Sequence, residues 1–335
     1  MSNYSPTTRG TVLPLFLALI MLAVFISSQP AQAQPESMER IQPEKRQGKP
    51  ISEKSFFEKW SVRINTNAEH MFNTNIDGGG KFNITRLGLN HDATFTATER
   101  LRITFGSSYN YYNFDFSGSQ GLAGLRPWRN VSVSNNSMRV SYAVTRNWGV
   151  FAMPIISYGA ESGAPFWDSF TIGAMAGVSY RTGPNFIIGI GGFVGSRLEQ
   201  SVIGFPIGFL DWRVTERLRF STLASGARND FGPKAELSYN LGRGFIVASS
   251  IGFEFNRFRL EKDGNFSEGI GDFKALPLMG RISYDVNKYL TLNTYGGFLF
   301  AGSLELEDKN GNRISKEDYD TAPFIGASIT VNISL

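Results

Sequence analysis

From Trp60 onward the chain alternates apolar and polar residues with a period of two, and the alternation runs to the last residue. Trp60, Val62, Ile64, Thr66 and Ala68 alternate with Ser61, Arg63, Asn65, Asn67 and Glu69. Successive side chains of a strand point to opposite faces, so this pattern puts two chemically different rows on the two sides of a sheet. Leu87, Leu89, Ala93 and Phe95 likewise oppose Arg86, Asn90, Asp92 and Thr94, and Leu101, Ile103, Phe105, Tyr109 and Tyr111 oppose Arg102, Thr104, Ser108 and Asn110. Further on, Phe245, Val247, Ile251, Phe253 and Phe255 oppose Ser250, Glu254 and Asn256. No helical period competes over comparable lengths.

The connectors between these segments come in two kinds that take turns. Short ones are Thr98-Glu99-Arg100, Thr145-Arg146-Asn147, Thr182-Gly183-Pro184-Asn185, Thr215-Glu216-Arg217, Leu241-Gly242-Arg243-Gly244 and Val286-Asn287-Lys288. Longer polar or Gly-rich ones lie around 77–80, 117–127, 159–166, 197–200, 226–232, 261–272 and 305–320. Short turns on one side and longer loops on the other are the arrangement of a transmembrane barrel, with turns in the periplasm and loops outside. The spacing predicts an all-β, antiparallel, up-and-down barrel of about fourteen strands with both termini in the periplasm. Between Val202 and Phe220 apolar residues fall on both rows, which leaves about twelve strands as the alternative.

The N-terminal region has a different character. Arg9, an apolar run from Val12 to Ile26 and then Ala31-Gln32-Ala33 read as a signal peptide over 1–33 with an A-x-A cleavage site. Residues 34–55, rich in Pro, Gln, Glu and Lys, read as a flexible periplasmic leader, and 56–335 as the barrel. Mean hydropathy is only −0.16 and no second long apolar run exists. A membrane protein of this composition must therefore span as a closed barrel, because lipid leaves no partners for unpaired backbone.

Cysteine count is 0, so disulfides, thiolate chemistry and a lipid-modified N-terminal Cys are excluded. Lys and Arg number 33 against 29 Asp and Glu, a balance that gives nucleic-acid binding no support. The expected partner is outer-membrane lipid.

At the other end, Ile325, Ala327, Ile329, Val331, Ile333 and Leu335 share one face, with Ser328, Thr330, Asn332 and Ser334 on the other. This final strand resembles the C-terminal targeting signal of outer-membrane barrels. The resemblance implies recognition by the barrel-assembly machinery, with Leu335 standing where Phe is usual. Tyr180 to Asn185, the run Ile188-Gly189-Ile190-Gly191-Gly192, and Pro206 to Val214 followed by Leu218-Arg219-Phe220 resemble an outer-membrane β-barrel family of unknown function from Gram-negative-type bacteria. That resemblance covers nearly the whole mature chain and implies location and fold, without an activity.

Catalytic signatures are missing from the sequence. It contains no G-x-S-x-G, Walker-type or H-E-x-x-H motif. His70 and His91 fall in the apolar row, and Asp92 beside His91 points to the opposite face, so the two neighbours do not form a dyad. Gly189, Gly191, Gly192 and Gly195 lie in a strand pattern and read as backbone bending in a barrel wall. Asp308, Asn310, Asn312, Glu317 and Asp318 faintly resemble a calcium loop but lack Gly at the turn position, and Asn310-Gly311 reads as a hairpin tip. No catalytic residue, metal ligand or cofactor is assigned, and the chain is not read as an enzyme.

The inward row is the remaining candidate: Arg63, Glu69, Arg86, Asp92, Arg102, Arg139, Arg219, Lys234, Glu236, Glu254 and Arg281. Such residues either set a transverse field in a water-filled pore or pair with one another inside a filled barrel. The function expected from the sequence is a narrow passive pore for small hydrophilic solutes, favouring anions. Its alternative is a non-conducting surface barrel that binds a partner or stiffens the envelope. A third reading is a channel for hydrophobic molecules, whose fourteen-stranded examples close the lumen with an N-terminal hatch for which Gln34 to Lys54 is short and polar. An outer-surface enzyme is the fourth.

Overall fold

The computed structural model describes residues 59–199, 201–222 and 233–334. The signal peptide (1–33), the leader (34–55), the loop 226–232 and Leu335 lie outside the described residues. In chain order the strand segments are β1 (Trp60–Asn75), β2 (Lys81–Thr96), β3 (Leu101–Ser117), β4 (Asn130–Ala143), β5 (Trp148–Glu161), β6 (Phe170–Arg181), β7 (Phe186–Ser196) and β8 (Val202–Arg213). They continue with β9 (Leu218–Ser221), β10 (Lys234–Gly242), β11 (Phe245–Gly252), β12 (Glu254–Arg259), β13 (Ile270–Asp285), β14 (Leu290–Glu307), β15 (Arg313–Tyr319) and β16 (Ala322–Ser334). One short helix, α1 (Gly121–Leu125), sits in the loop after β3.

Every neighbouring pair of wall strands is antiparallel, and β1 pairs with both β2 and β16, which closes the sheet. β11 and β12 are one strand interrupted at Phe253, and β15 and β16 are one strand interrupted at 320–321, so the segments make a closed barrel of fourteen strands. The twelve-strand alternative is not realised. The ambiguous stretch forms β8 and β9, and its mixed pattern has a physical cause. Val202 is exposed on the outside while Ile207 and Phe209 are buried on the inside, so both faces of β8 are apolar.

All six short turns fall where the sequence places them, and four share one local device. Thr98 Oγ1 accepts the backbone N–H of Leu101 at 2.9 Å, and Thr145 and Thr215 accept those of Trp148 and Leu218 at 3.0 Å. Asn287 Oδ1 does the same for Leu290 at 3.0 Å. A side-chain acceptor that satisfies the amide three residues on closes the turn without requiring glycine.

The exterior is apolar at mid-height. Leu87, Leu89, Phe105, Ile190, Leu237, Ile282, Phe298, Ile325 and Ile329 are all exposed there, far more apolar surface than a water-facing monomer shows. At the turn end a ring of aromatic pairs lies across neighbouring strands in register. Trp60 meets Phe95 at 5.0 Å, Trp148 meets Tyr180 at 4.9 Å, Phe186 meets Trp212 at 6.3 Å and Phe245 meets Tyr284 at 4.6 Å. Aromatic rings of this kind mark the interface on either side of an apolar band. Tyr158, Phe166, Trp167 and Phe170 cluster at the loop end. His91 lies exposed in the outward row, and the His70 ring stands beside Thr85 Oγ1 at 3.1 Å and edge-on to Phe72.

Leu89 sits in the middle of the band, directly across from Thr66 on β1 and Tyr109 on β3. Leu89→Arg is expected to cost about 2–4 kcal/mol of stability in a bilayer and to lower the yield of folded barrel. Heat-modifiable migration of refolded protein measures that yield. Phe253, expected on the lipid face as well, is half-buried and alternates with the buried Gly252 and Glu254.

Candidate functional site

The barrel interior is not uniform. Toward the turn end the inward positions carry polar groups: Asn65, Asn67, Glu69, Arg86, Asn90, Ser108, Asn110 and Arg139 are all buried. The charged row meets itself in register, with Arg63 opposite Asp92 and Glu69 opposite Arg86. Opposite charges directly across an antiparallel pair attract, and like charges there would repel. Arg281 donates to Glu236 at 2.7 Å and also to Ser283. Arg219 forms a two-pronged bond to Asp211 at 2.7 and 2.9 Å. The Arg139 guanidinium lies over the Phe151 ring at 4.6 Å, two residues along the strand register from the partner of Arg102. Lys234 begins β10, opposite Gly252.

Arg86 and Glu254 reach each other across the lumen, from β2 to the start of β12, at 3.5 Å. Both are 1 % exposed. The same Glu254 oxygen accepts from Asn256 at 2.9 Å and from Tyr112 at 3.3 Å, while Arg86 also donates to Asn110 at 3.3 Å and stacks over Tyr112. The structure thus brings Arg86 and Glu254 together as a strut inside the barrel, pairs Arg281 with Glu236 and sets Arg63 opposite Asp92 along the wall, and spreads Arg102, Arg139, Arg219 and Lys234 over other strands.

β12 explains how Glu254 gets there. β10 and β11 pair as far as Lys234 and Gly252, the Phe253 N–H still donates to the Pro233 carbonyl at 2.8 Å, and residues 223–232 beside them lie outside the described residues. One edge of β12 stays on β13, from Glu254 opposite Ala275 to Arg259 opposite Ile270. Its other end meets β5 through a parallel bridge between Arg259 and Ala160. Arg257 is held by Glu199 at 2.9 Å, by Asp272 at 3.3 Å and by Glu307. Arg259 donates to the backbone carbonyls of Leu198 at 2.8 Å and Glu268 at 2.9 Å.

On one side of β12 the loop end of the barrel is packed solid. Phe258 is 0 % exposed, and its ring lies 5.3 Å from Trp128 and 6.3 Å from Phe114. Phe114 in turn touches Phe116, Trp128 and Phe273. Ile84, Phe82, Leu304, Leu306 and Tyr319 complete the cluster, with Leu122 of α1 as its lid. In this region the strand faces exchange chemistry: Asn113 and Asp115 point out while Phe114 and Phe116 point in.

On the other side, the inner face of β5 to β8 is apolar. Phe151, Met153, Ile155, Met175, Ile187, Ile207 and Phe209 form a second buried cluster against which Phe193 and Phe205 pack. The glycine-rich run of β7 serves this cluster. A Cβ on Gly189 would lie 2.0 Å from the Phe209 ring, and one on Gly177 would lie 2.8 Å from Phe151. Gly189 on β7 and Gly177 on β6 thus make room for rings in the lumen, while a Cβ on Gly191 would meet the Ala176 carbonyl of the neighbouring strand.

The loop read as a hairpin tip is one. Asp308 accepts from the side chain and backbone N–H of Asn312 at 2.8 and 2.9 Å and from the Asn310 N–H at 2.9 Å, which holds its carboxyl below the usual range, and Gly311 takes a φ of +88°. Its carboxylate is spent on the turn. Among the described residues no group of three His, Cys, Asp or Glu is placed to hold a metal ion.

The architecture is a closed, antiparallel β-barrel of fourteen strands. No family model matches the chain, and no curated protein matches it. Solved structures do resemble it at low identity. A COG4313 outer membrane channel from Pseudomonas putida F1 aligns over 86 % of this chain and 100 % of its own, at 10 % identity and a TM-score of 0.45. A Pseudomonas aeruginosa FadL homologue covers 82 % of this chain and 90 % of its own, at 8 % identity and a TM-score of 0.44. The Pseudomonas putida toluene transporter TodX covers 92 % and 96 %, at 9 % identity and a TM-score of 0.41.

Proposed function

We propose that the protein is a gated outer-membrane channel for small molecules that carry an aromatic or apolar group, with β12 as the gate. The observation that carries this reading is the course of β12. A strand that stays paired to β13, reaches Arg86 on β2 and Ala160 on β5 across the lumen and is held there by ion pairs divides the interior into a packed core and an aromatic-lined wall. Ligand paths lined by apolar rings with a few fixed polar groups suit solutes of that character. Below the gate the inward residues are polar, with Asn65, Asn67 and Asn90 all buried. The narrow hydrophilic pore expected from the sequence would draw on this polar half, whereas the outer half is lined by apolar rings.

Liposome swelling tests the reading. Phenylalanine does not cross lipid readily, carries a ring, and is bulkier than a pentose. Proteoliposomes are expected to swell faster in isotonic phenylalanine than in isotonic arabinose. The reverse order would favour the hydrophilic pore, and no swelling in either solute from verified folded barrels would overturn the channel.

A further inference from the structure

At the turn end of the lumen, β3 and β4 set two arginines side by side on the inward face. Arg102 stands opposite Ser141 and Arg139 opposite Thr104, so the two are diagonal neighbours across the strand pair. The rows they occupy continue into Thr96 and Thr94 on β2 and, beyond Ser141, into Phe151 on β5, with no acidic residue among them. The carboxylates of this half stand against other arginines: Asp92 opposite Arg63, Glu69 opposite Arg86, Asp211 in the two-pronged bond to Arg219, and Glu236 accepting from Arg281.

Arg139 is the decisive residue. It is 7 % exposed, and its guanidinium lies over the Phe151 ring at 4.6 Å. That ring is fixed in turn, with Phe209 edge-on at 5.9 Å and no room for a Cβ on Gly177. The Arg139 guanidinium forms no ion pair and no hydrogen bond among the described residues. Nε is the one nitrogen of the three shut away from accessible space, so both terminal nitrogens open on the lumen. Met138, beside it in the strand, is the outward residue, so Arg139 meets dissolved solutes and not lipid headgroups. A guanidinium keeps its charge at any ordinary pH, and a charge held out of water without a counter-charge is costly. A ring face under it offsets only part of that cost. The partner this geometry calls for is an anion with several oxygens, able to accept from both terminal nitrogens at once.

We infer that Arg139 and Arg102 form a binding site for a small phosphate-bearing anion in the lumen, with two phosphate oxygens on the Arg139 terminal nitrogens and Arg102 adding a second positive charge. Two guanidinium groups on one face favour a doubly charged group over a carboxylate or chloride. The inference does not rest on the channel reading, because occupancy is read from stability and not from transport.

The probe is inorganic phosphate, at a mildly alkaline pH where the dianion dominates. The folded, detergent-solubilised barrel is unfolded in urea with phosphate or with sodium chloride at matched ionic strength. An anion that binds only the folded state stabilises it by mass action, so a dissociation constant on the order of 1 mM makes about 10 mM phosphate lower the unfolding equilibrium constant of wild type about tenfold. Arg139→Met removes the charge, keeps most of the volume over Phe151, and is expected to abolish the phosphate shift while remaining as stable as wild type in chloride. Arg139→Lys keeps a point charge without the two-pronged donor and is expected to retain only part of the shift. Equal wild-type stability in the two salts overturns the site, and so does a phosphate shift left whole by either variant. If phenylalanine swelling persists while phosphate fails to shift wild type, the channel stands and the anion site falls.

Discussion

Phe258→Ala is expected to destabilise the barrel by roughly 3–5 kcal/mol, the cost of emptying a well-packed aromatic site. Phe258 is fully enclosed and touches Trp128 and Phe114, and its ring also lies 2.4 Å from where a Cβ on Gly271 would stand. No small shift of β13 can fill the hole, because the neighbouring rings are themselves fixed by Phe116 and Phe273. The loss falls on β12, which is also held by pairing to β13, the bridge to β5, the Glu254–Arg86 pair and the Arg257 and Arg259 contacts. Denaturant unfolding of the refolded barrel in lipid measures the cost. A change below about 1 kcal/mol would show that the site collapses easily and that Phe258 does not anchor the strand.

Glu254→Leu is the second large effect, again roughly 3–5 kcal/mol, because it removes one side of a buried pair and leaves the Arg86 guanidinium away from water. Glu254 reaches Arg86 across the lumen, Glu69 stands opposite Arg86 in the strand register, and Asn110 and the Tyr112 ring are neutral neighbours. Removing both charges should cost less than the sum of the two single losses. The double variant Arg86→Met, Glu254→Leu is expected to recover part of the lost stability, the remainder being the loss of the arginine opposite buried Glu69. Additive losses in the same unfolding assay would mean that the two groups do not act on each other.

The strand order, all six turns and the outward row were legible because lipid, strand pairing and turn chemistry are local constraints. Leu87 and Leu89 alternate with Arg86 and Asn90 whatever the rest of the chain does. The reach of β12 across the lumen was not legible. Phe253 and Phe255 continue the period of β11, so the sequence carries no break where β12 begins. What holds it is tertiary: Arg257 finds Glu199, Asp272 and Glu307, which lie 58, 15 and 50 residues away. The apolar core left a signal that a reading by fixed rows passes over. Asn83 and Asp115 alternate with Phe82, Ile84, Phe114 and Phe116 in the opposite phase to the membrane band, which marks the height at which water replaces lipid outside and rings replace water inside. The inward charges were found, but their partners were not, since Arg86 and Glu254 stand 168 residues apart.

Single-channel recording in a planar bilayer, on verified folded wild type and on Phe258→Ala, bears most directly on the claim that β12 gates the lumen. Wild type is expected to be closed for most of the record and the variant to show frequent, stable steps. A wild type that conducts steadily, with the variant unchanged, would contradict the gate.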